Sequence, residues 1–395
     1  MRVLTKTILM VVCLLAGRGL CLGGTATAQE TDSNITDLLR KPGLKILHIG
    51  NSFTFDAVSY LPLIVESTGA DVSDLCIYRT MRSGGSFKSW YDTYFDNDRE
   101  FEYKIEKVIG GMDASIDAGT GKAGDGALFR KALTDEQWDV IVIQPASAYS
   151  PYYDQWTGNG NGGYLDELLE LIRERQPQAT IGMMLVHSYA SNYAGNTERS
   201  SYDRWRLIAE SVKKCCAEKG IGFVSPYGTA VQNLRATTLN NDMDLTADGI
   251  HCEYVLCRYT ASCCYYETVL APRTGISVTT DRTRINKDLI ASDTSMVSVD
   301  DDTAPIAHAA AIMAVADWYS CQEGVTVTGD VNGDGAVDVA DIASVIDAMS
   351  GVGAEPVSTQ KADVNGDGNV DVADIATIIS IMNGEVILVH SAHSL

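Results

Sequence analysis

Three groups of residues combine side-chain types in spacings that can do chemistry. The first is the corner Gly50-Asn51-Ser52, where an apolar run stops and a hydroxyl sits at a forced turn. A serine oxygen attacks only if a base removes its proton and donors hold the oxyanion that forms. The second is Asp248-Gly249-Ile250-His251, in a loop that opens a helical pattern. One turn of chain can set the Asp248 carboxylate against Nδ1 of His251, which fixes the tautomer and leaves Nε2 for the serine. Taken alone, the same spacing is a helix N-cap (Asp248) beside a capping or surface histidine. The chain has six histidines in all. His48 falls inside the first strand pattern, His308 in a late helix, and His390 and His393 in the tail. His187 ends a strand and is a secondary candidate. His251 is therefore the expected base.

The third group is duplicated. "DVNGDGAVDVADIASVIDAM" begins at Asp330, and "DVNGDGNVDVADIATIISIM" begins at Asp363, 33 residues later. Oxygen-bearing side chains recur at loop positions 1, 3, 5, 9 and 12. They are Asp330, Asn332, Asp334, Asp338 and Asp341, then Asp363, Asn365, Asp367, Asp371 and Asp374. Gly335 and Gly368 take position six, where the loop turns sharply. Such spacing wraps hard oxygens around one point, as Ca²⁺ requires, so two structural Ca²⁺ ions are expected and no cofactor for catalysis. Without metal the clustered carboxylates repel one another, so this module should fold only with Ca²⁺.

The elements that must position these groups follow from apolar periodicity. Leu44–Ile49, Leu75–Tyr78, Asp139–Gln144, Thr180–Val186 and Ile221–Val224 read as strands without polar alternation. Ala57–Ser67, Tyr164–Arg175, Tyr202–Glu218, Cys252–Leu270 and Ala304–Tyr319 read as helices between or after them. Strands apolar on both faces and separated by helices predict a parallel sheet covered on both sides. The expected fold class is α/β, a three-layer α/β/α sandwich, followed by a small all-α calcium-binding module. Ser52 would then lie past the carboxyl end of the first strand, where such sheets bind ligands. Gly110–Gly126 and Tyr149–Gly163 read as surface loops shaping a cleft.

Composition bounds the rest. The chain has 395 residues and a net charge of −22. An excess of negative charge argues against nucleic acid as a partner. Arg2, Lys6, the apolar stretch from Ile8 to Leu15 and Ala26-Thr27-Ala28 predict a signal peptide over 1–28 and a secreted protein. Acylation of Cys21 is the alternative fate of that leader. No later stretch is long and apolar enough for a membrane span. Of ten cysteines, eight follow the leader, and their adjacent or helix-like spacings predict buried free thiols. The expected division is leader 1–28, α/β domain 43–320, linker 321–328, calcium module 329–384 and tail 385–395.

With these residues in place, the region from Gly43 to Tyr319 resembles the SGNH/GDSL-type hydrolases, whose core is flavodoxin-like. Gly50-Asn51-Ser52 stands where that family usually has Gly-Asp-Ser, and Asp248-x-x-His251 stands as its last block. The resemblance implies acyl transfer to water with Ser52 as nucleophile, His251 as base and Asp248 as its partner. It also implies an oxyanion hole built from the Ser52 N–H, a glycine N–H after the second strand (Gly84 or Gly85) and a carboxamide after the third. Gln144 occupies the position where the family has asparagine. The duplicated loop–helix unit resembles the type I dockerins, which implies a cohesin partner on a scaffold or cell surface. Loop positions 10 and 11, which help select the cohesin in that family, are Val-Ala in both copies. Together these features lead to an expected secreted esterase removing acetyl or similar groups from polysaccharides or glycans. Tyr149, Tyr152, Tyr153, Trp156, Tyr164, Trp90, Tyr91 and Tyr94 are expected to stack on sugars. The alternatives are a lipid or aryl-ester hydrolase with the same triad, a non-catalytic glycan-binding or scaffold component, and a glycoside hydrolase.

Overall fold

A computed structural model describes residues 34–97, 102–122, 124–198, 200–290 and 296–321, and in the repeat 329, 331–332, 337, 339–350, 362–365 and 368–382. The expected leader, nearly all of the linker and the tail lie outside the described residues.

The architecture is mixed α/β around a seven-stranded sheet. Strands β1 (Leu44–Gly50), β2 (Leu75–Arg82), β3 (Tyr103–Ile109), β4 (Gly119–Gly121), β5 (Val140–Ile143), β6 (Thr180–Met184) and β7 (Phe223–Ser225) lie in the order β4-β3-β2-β1-β5-β6-β7. Strands β2, β1, β5, β6 and β7 run parallel, with Ile46 of β1 opposite Ile77 on one side and Val140 on the other. β5 is buried along its whole length and β1 nearly so, which is why neither shows polar alternation. After β1 the chain builds outward to β4, then returns to place β5 on β1's other side. The switch point between β1 and β5 opens a crevice at their carboxyl ends, and Ser52 and Gln144 lie just past those ends.

The sheet is not wholly parallel, which corrects the sequence expectation. β3 pairs antiparallel with β2, Tyr103 opposite Arg82, and β4 pairs antiparallel with β3. The stretch Tyr103–Ile109 alternates charged and apolar residues, with Lys104 exposed between buried Tyr103 and Ile105. It lies between β2 and the three-residue edge strand β4, half open to water, so charged side chains are tolerated on it. β4 falls inside the stretch expected to be loop.

Helices α1 (Ser52–Val58) and α2 (Leu61–Thr68) replace the single helix expected there, because Pro62 starts a new helix at its first turn. The others in this domain are α3 (Phe87–Tyr94), α4 (Ala127–Thr134), α5 (Tyr153–Trp156), α6 (Leu165–Arg175), α7 (Ser201–Lys219), α8 (Tyr227–Arg235), α9 (Leu256–Thr274) and α10 (Thr303–Ala316). α10 packs against α8 and α9 through small side chains. Polar ties join them: Asn233 Nδ2 donates to Ala310 O at 3.2 Å, and the Tyr259 hydroxyl meets His308 Nε2 at 2.7 Å. All eight cysteines of the described residues are unbridged, six of them buried, as expected. In the repeat, α11 (Val339–Ser350) and α12 (Val372–Met382) contact each other around Val331, Val345, Ala362, Val364 and Ile378.

Gly110 closes β3 with φ +123°, and an added Cβ would lie 1.9 Å from the Leu75 carbonyl oxygen. Neither the dihedral nor the contact can relax without moving β2. Gly110→Ala should therefore lower unfolding stability by about 3 kcal/mol, read from urea denaturation of the full chain. A change within 0.5 kcal/mol would refute this packing of the antiparallel edge.

Candidate active site

The corner that carries Ser52 is assembled by buried amide chemistry. β1 ends at Gly50, and Asn51 caps α1 in an extended conformation, its Oδ1 accepting from Phe53 N–H at 2.9 Å. The same Oδ1 accepts from Gln144 Nε2 at 2.5 Å, while Asn51 Nδ2 donates to Gly85 O at 2.9 Å. Gln144 Oε1 in turn accepts the Thr54 hydroxyl. Asn51 and Gln144 are both buried, so each unmet bond would leave a desolvated amide. Gly50 must be glycine here, because a Cβ would lie 2.0 Å from Thr54 Oγ1 and 2.8 Å from Gln144 Oε1. Trp90 Nε1 donates to Gly50 O at 3.0 Å and closes the corner from α3.

From the other end of the chain comes the loop 244–252. Arg235 Nε donates to Asp244 O at 2.7 Å, and Asp244 accepts from Ser191 N–H at 2.7 Å and from Asn240 Nδ2 at 3.0 Å. Gly249 has φ +83° and its backbone presses against the Tyr193 ring, so the chain turns sharply between Asp248 and His251. Asp248 Oδ1 accepts the N–H groups of Ile250 and His251 at 2.9 and 2.8 Å. Its other oxygen, Oδ2, lies 2.8 Å from His251 Nδ1. These bonds hold the Asp248 carboxyl below the usual carboxylate range against the opposing effect of burial.

The structure brings these two segments together. Ser52 Oγ lies 2.9 Å from His251 Nε2, across 199 residues of sequence. Because Nδ1–H donates to Asp248, Nε2 is the free acceptor for the serine proton. Ser52 is partly buried and Asp248 exposed, so the dyad faces a wet crevice.

Of the expected oxyanion residues, Gly84 and Gly85 differ. Gly85 N–H donates to Arg82 O at 3.0 Å and is spent on the turn. Gly84 is exposed with φ +61°, and its N–H donates to no acceptor among the described residues. Gln144 is spent in part on Asn51 and Thr54, so it braces the nucleophile corner rather than standing free at the crevice.

Two buried groups hold the loop: His187, which the sequence offered as a secondary base, and Asp56, which sequence inspection passed over. His187 stacks on Phe53 with ring centroids 4.2 Å apart. Its Nε2 donates to Ile250 O at 2.7 Å and its Nδ1 accepts from the Tyr227 hydroxyl at 3.1 Å. Burial and the Arg235 charge push its pKa well below the ordinary value, so it stays neutral and structural. Asp56, on α1, accepts Cys252 N–H at 3.1 Å and contacts Arg258 Nε at 2.8 Å. A polar residue four places after Ser52 on an otherwise buried helix face is the signal that could have found it. Asp56, His187 and Cys252 together have metal-ligand types, with ligand atoms within 4.8 Å of one another. Both nitrogens of His187 and one oxygen of Asp56 are already engaged, so the cluster works as a clamp. His48, buried against the Tyr265 hydroxyl at 2.6 Å and pushed down to about 3 by burial, also has no path to the crevice.

The sugar-stacking expectation fails for four residues. Trp90, Trp156, Tyr94 and Tyr153 are buried in the core. Trp156 Nε1 donates to Tyr149 O at 2.8 Å, so the loop packs on its own aromatics. Tyr91, Tyr149, Tyr152 and Tyr164 are partly exposed.

In the repeat, Asn332, Asp341, Asp363, Asn365, Asp371 and Asp374 are described; Asp330, Asp334, Asp338 and Asp367 lie outside the described residues. Asp341 Oδ1 accepts Val331 N–H at 2.8 Å and Asn332 N–H at 3.1 Å. Asp374 Oδ1 does the same for Val364 and Asn365 at the same two distances. Each position-12 aspartate thus shapes its own loop through Oδ1, and Asp374 also accepts Asp371 N–H on Oδ2 at 2.8 Å. Gly368 takes φ +88°, the turn that position six needs. Donor set and backbone fit a hard oxygen-seeking cation.

Known proteins bear on both regions. Residues 45–288 match the profile described as a domain of unknown function, DUF4886, and residues 328–383 match the type I dockerin domain. A DUF4886 family protein from Bacteroides uniformis, solved as a crystal structure, is 26% identical over 71% of this chain and 97% of its own, with a TM-score of 0.54. A gut microbial diltiazem-metabolizing enzyme is 13% identical over 59% of this chain and 47% of its own, with a TM-score of 0.29, too remote to carry an argument. No curated protein matches.

Burial raises the Asp56 carboxyl to about 6 despite the Arg258 guanidinium beside it. Between about pH 4 and pH 6 the folded chain keeps a proton that the unfolded chain has released, so this group's contribution falls as pH rises through that window. Asp56→Asn lacks the effect. The stability advantage of wild type over Asp56→Asn should shrink by roughly 2 kcal/mol from pH 4 to pH 7, read from urea midpoints. A pH-independent difference would show that Asp56 is ionised throughout.

Proposed function

The chain belongs to the DUF4886 family, a domain of unknown function, and we propose that it is a serine esterase of the SGNH type. The observation that carries this is the continuous hydrogen-bonded series from Ser52 Oγ through His251 to Asp248, at 2.9 and 2.8 Å. The parallel order β2-β1-β5-β6-β7 supports the three-layer flavodoxin-like core that SGNH enzymes use. The family's description names no activity, so the site chemistry bears the weight.

Ser52 Oγ bonds to the ester carbonyl carbon as its proton passes to His251 Nε2, and the carbonyl oxygen takes the negative charge. The Ser52 and Gly84 N–H groups are the donors for that oxyanion, each positioned by the turn it sits in. Imidazolium formation at His251 is stabilised by Asp248, and the proton then goes to the departing alkoxide. Water attacks the acyl-serine by the same route in reverse, and Ser52 regains its proton. The proton transfers use the Ser52–His251 and His251–Asp248 contacts, at 2.9 and 2.8 Å.

A type I dockerin domain occupies the C-terminus, and such domains bind calcium and imply a cohesin partner. Proteins that carry one are typically extracellular or held at a cell surface, and among the described residues no helix is long and apolar enough to cross a membrane. Residues Asp330, Asn332, Asp334, Asp338 and Asp341 would hold one Ca²⁺, and Asp363, Asn365, Asp367, Asp371 and Asp374 the other. Val339, Ile346 and Met349 are exposed on α11, and their repeat equivalents Val372, Ile379 and Met382 are exposed on α12. Those matching apolar faces suit a cohesin. Tethering of that kind supports esterified polysaccharide or glycan as substrate, reached by a secreted chain.

Ser52→Ala and His251→Ala should each lower kcat on p-nitrophenyl acetate by about 10³-fold or more, and Asp248→Asn by about 10²–10⁴. Full activity in Ser52→Ala would dismiss the esterase assignment. Calorimetry of the full chain should show that a Ca²⁺ chelator removes the smaller unfolding transition and leaves ester turnover intact. Simultaneous loss of both would mean that repeat and α/β domain fold as one unit.

A further inference from the structure

Large apolar side chains are mostly buried in the α/β domain, so the exposed ones near the dyad stand out. Phe55 lies three residues after Ser52 on α1, and Tyr254 lies three residues after His251; both rings are more than a third exposed. Neighbours three apart on a helix share a face, which sets Phe55 beside the nucleophile. The Tyr60 hydroxyl donates to Tyr254 O at 2.7 Å and holds that second ring's backbone to the end of α1. Between the rings sits Arg258, its guanidinium carbon 5.1 Å from the Phe55 centroid and 4.5 Å from the Tyr254 centroid.

Two cations flank Phe55, and they are in different states. Arg79 lies 4.6 Å over the ring but gives Nε and Nη2 to Glu106 at 3.0 and 2.8 Å. Arg258 has its Nε 2.8 Å from Asp56 Oδ1, yet the Nε–H is not aimed at that oxygen and makes no hydrogen bond. Asp56 directs its other oxygen at Cys252 N–H. Neither Nη of Arg258 bonds an acceptor among the described residues. Asp56 thus pairs with the Nε side of the guanidinium, while its forked end is held by stacking and makes no hydrogen bond to an acceptor among the described residues.

We propose that Phe55, Tyr254 and Arg258 form a subsite for a carboxylate-bearing sugar adjoining the ester that Ser52 attacks. This deepens the esterase assignment and rests on it. The planar fork of Arg258 matches a carboxylate in two parallel N–H···O bonds, which an ammonium could not offer. The exposed parts of the two rings offer apolar surface to the C–H groups of the pyranose. In a chain carrying 52 acidic and 30 basic residues, a fixed cation at the crevice also counters the repulsion an anionic glycan would meet.

The test compares acetyl release by the full chain from acetylated galacturonan oligosaccharides and from the same oligosaccharides with their carboxyls methyl-esterified. Sugar and acetyl group are then identical and only the charge differs. Wild type should show at least a tenfold higher kcat/KM on the charged form, with the ratio falling as salt is raised. In Arg258→Gln the ratio should drop to about one. Tyr254→Ala, a change at an exposed ring, should raise KM more than it lowers kcat. Because Arg258 also touches Asp56, binding to Ser52→Ala is measured by calorimetry, where the charged oligosaccharide should bind about tenfold tighter than its methyl ester. Equal handling of both forms by wild type, or an unchanged ratio in Arg258→Gln, overturns the subsite. Turnover of p-nitrophenyl acetate with no charge preference overturns the subsite alone. Absence of any ester turnover overturns the esterase assignment and the subsite with it.

Discussion

One buried carboxamide, that of Asn51, determines where the Ser52 hydroxyl stands. Its oxygen takes the Phe53 N–H and the Gln144 amide, and its nitrogen gives to Gly85 O. Those three bonds join the carboxyl ends of β1 and β5 and the loop after β2. An amide in a dry site cannot trade these partners for water, so the corner has one arrangement rather than several. The position of Ser52 follows from that arrangement, since α1 starts from the same residue. Gly50 and Trp90 complete the constraint, one by having no Cβ and the other by closing on the Gly50 carbonyl.

A second constraint brings His251 to Ser52. The loop carrying Asp248 and His251 is held from below by Arg235 and Asp244, from the side by His187, and from α1 by Asp56. Asp56 and Ser52 share a helix, so the helix that presents the hydroxyl also grips the residue after the histidine. The spacing between Oγ and Nε2 is therefore set by the rigidity of one short helix. Asp56 has a cost, because its carboxyl sits beside a guanidinium in a site with little water. Such a buried ion pair does little for stability, and its place between the two segments suggests positioning.

Much of this was legible in the sequence. Unbroken apolar strands pointed to β1, β5 and β6, and the Gly-Asn-Ser corner and Asp-x-x-His spacing named the residues that the fold brings together. β3 was not legible, because a half-exposed outer strand mixes charge with apolar residues and imitates a surface segment. Nor were the roles of Asn51 and Gln144: sequence position suggested a free donor at residue 144, and only the network of acceptors around it shows where its amide goes. Trp90 and Trp156 misled for a related reason, since an aromatic near a candidate site can fill the core as readily as meet a ligand. Trp90 packs on Tyr103 and Phe129, and Trp156 on Phe87 and Tyr153. The calcium loops were legible because ligand spacing within twelve residues is local and needs no tertiary information.

The central claim is that Ser52 is a nucleophile activated by His251. An alkyl fluorophosphonate reacts with an activated serine hydroxyl and ignores ordinary ones, so intact-mass analysis with peptide mapping reads activation directly. One adduct per chain, on the peptide holding Ser52 and absent from His251→Ala, is the predicted result. No adduct, or one that persists when His251 is removed, would contradict it.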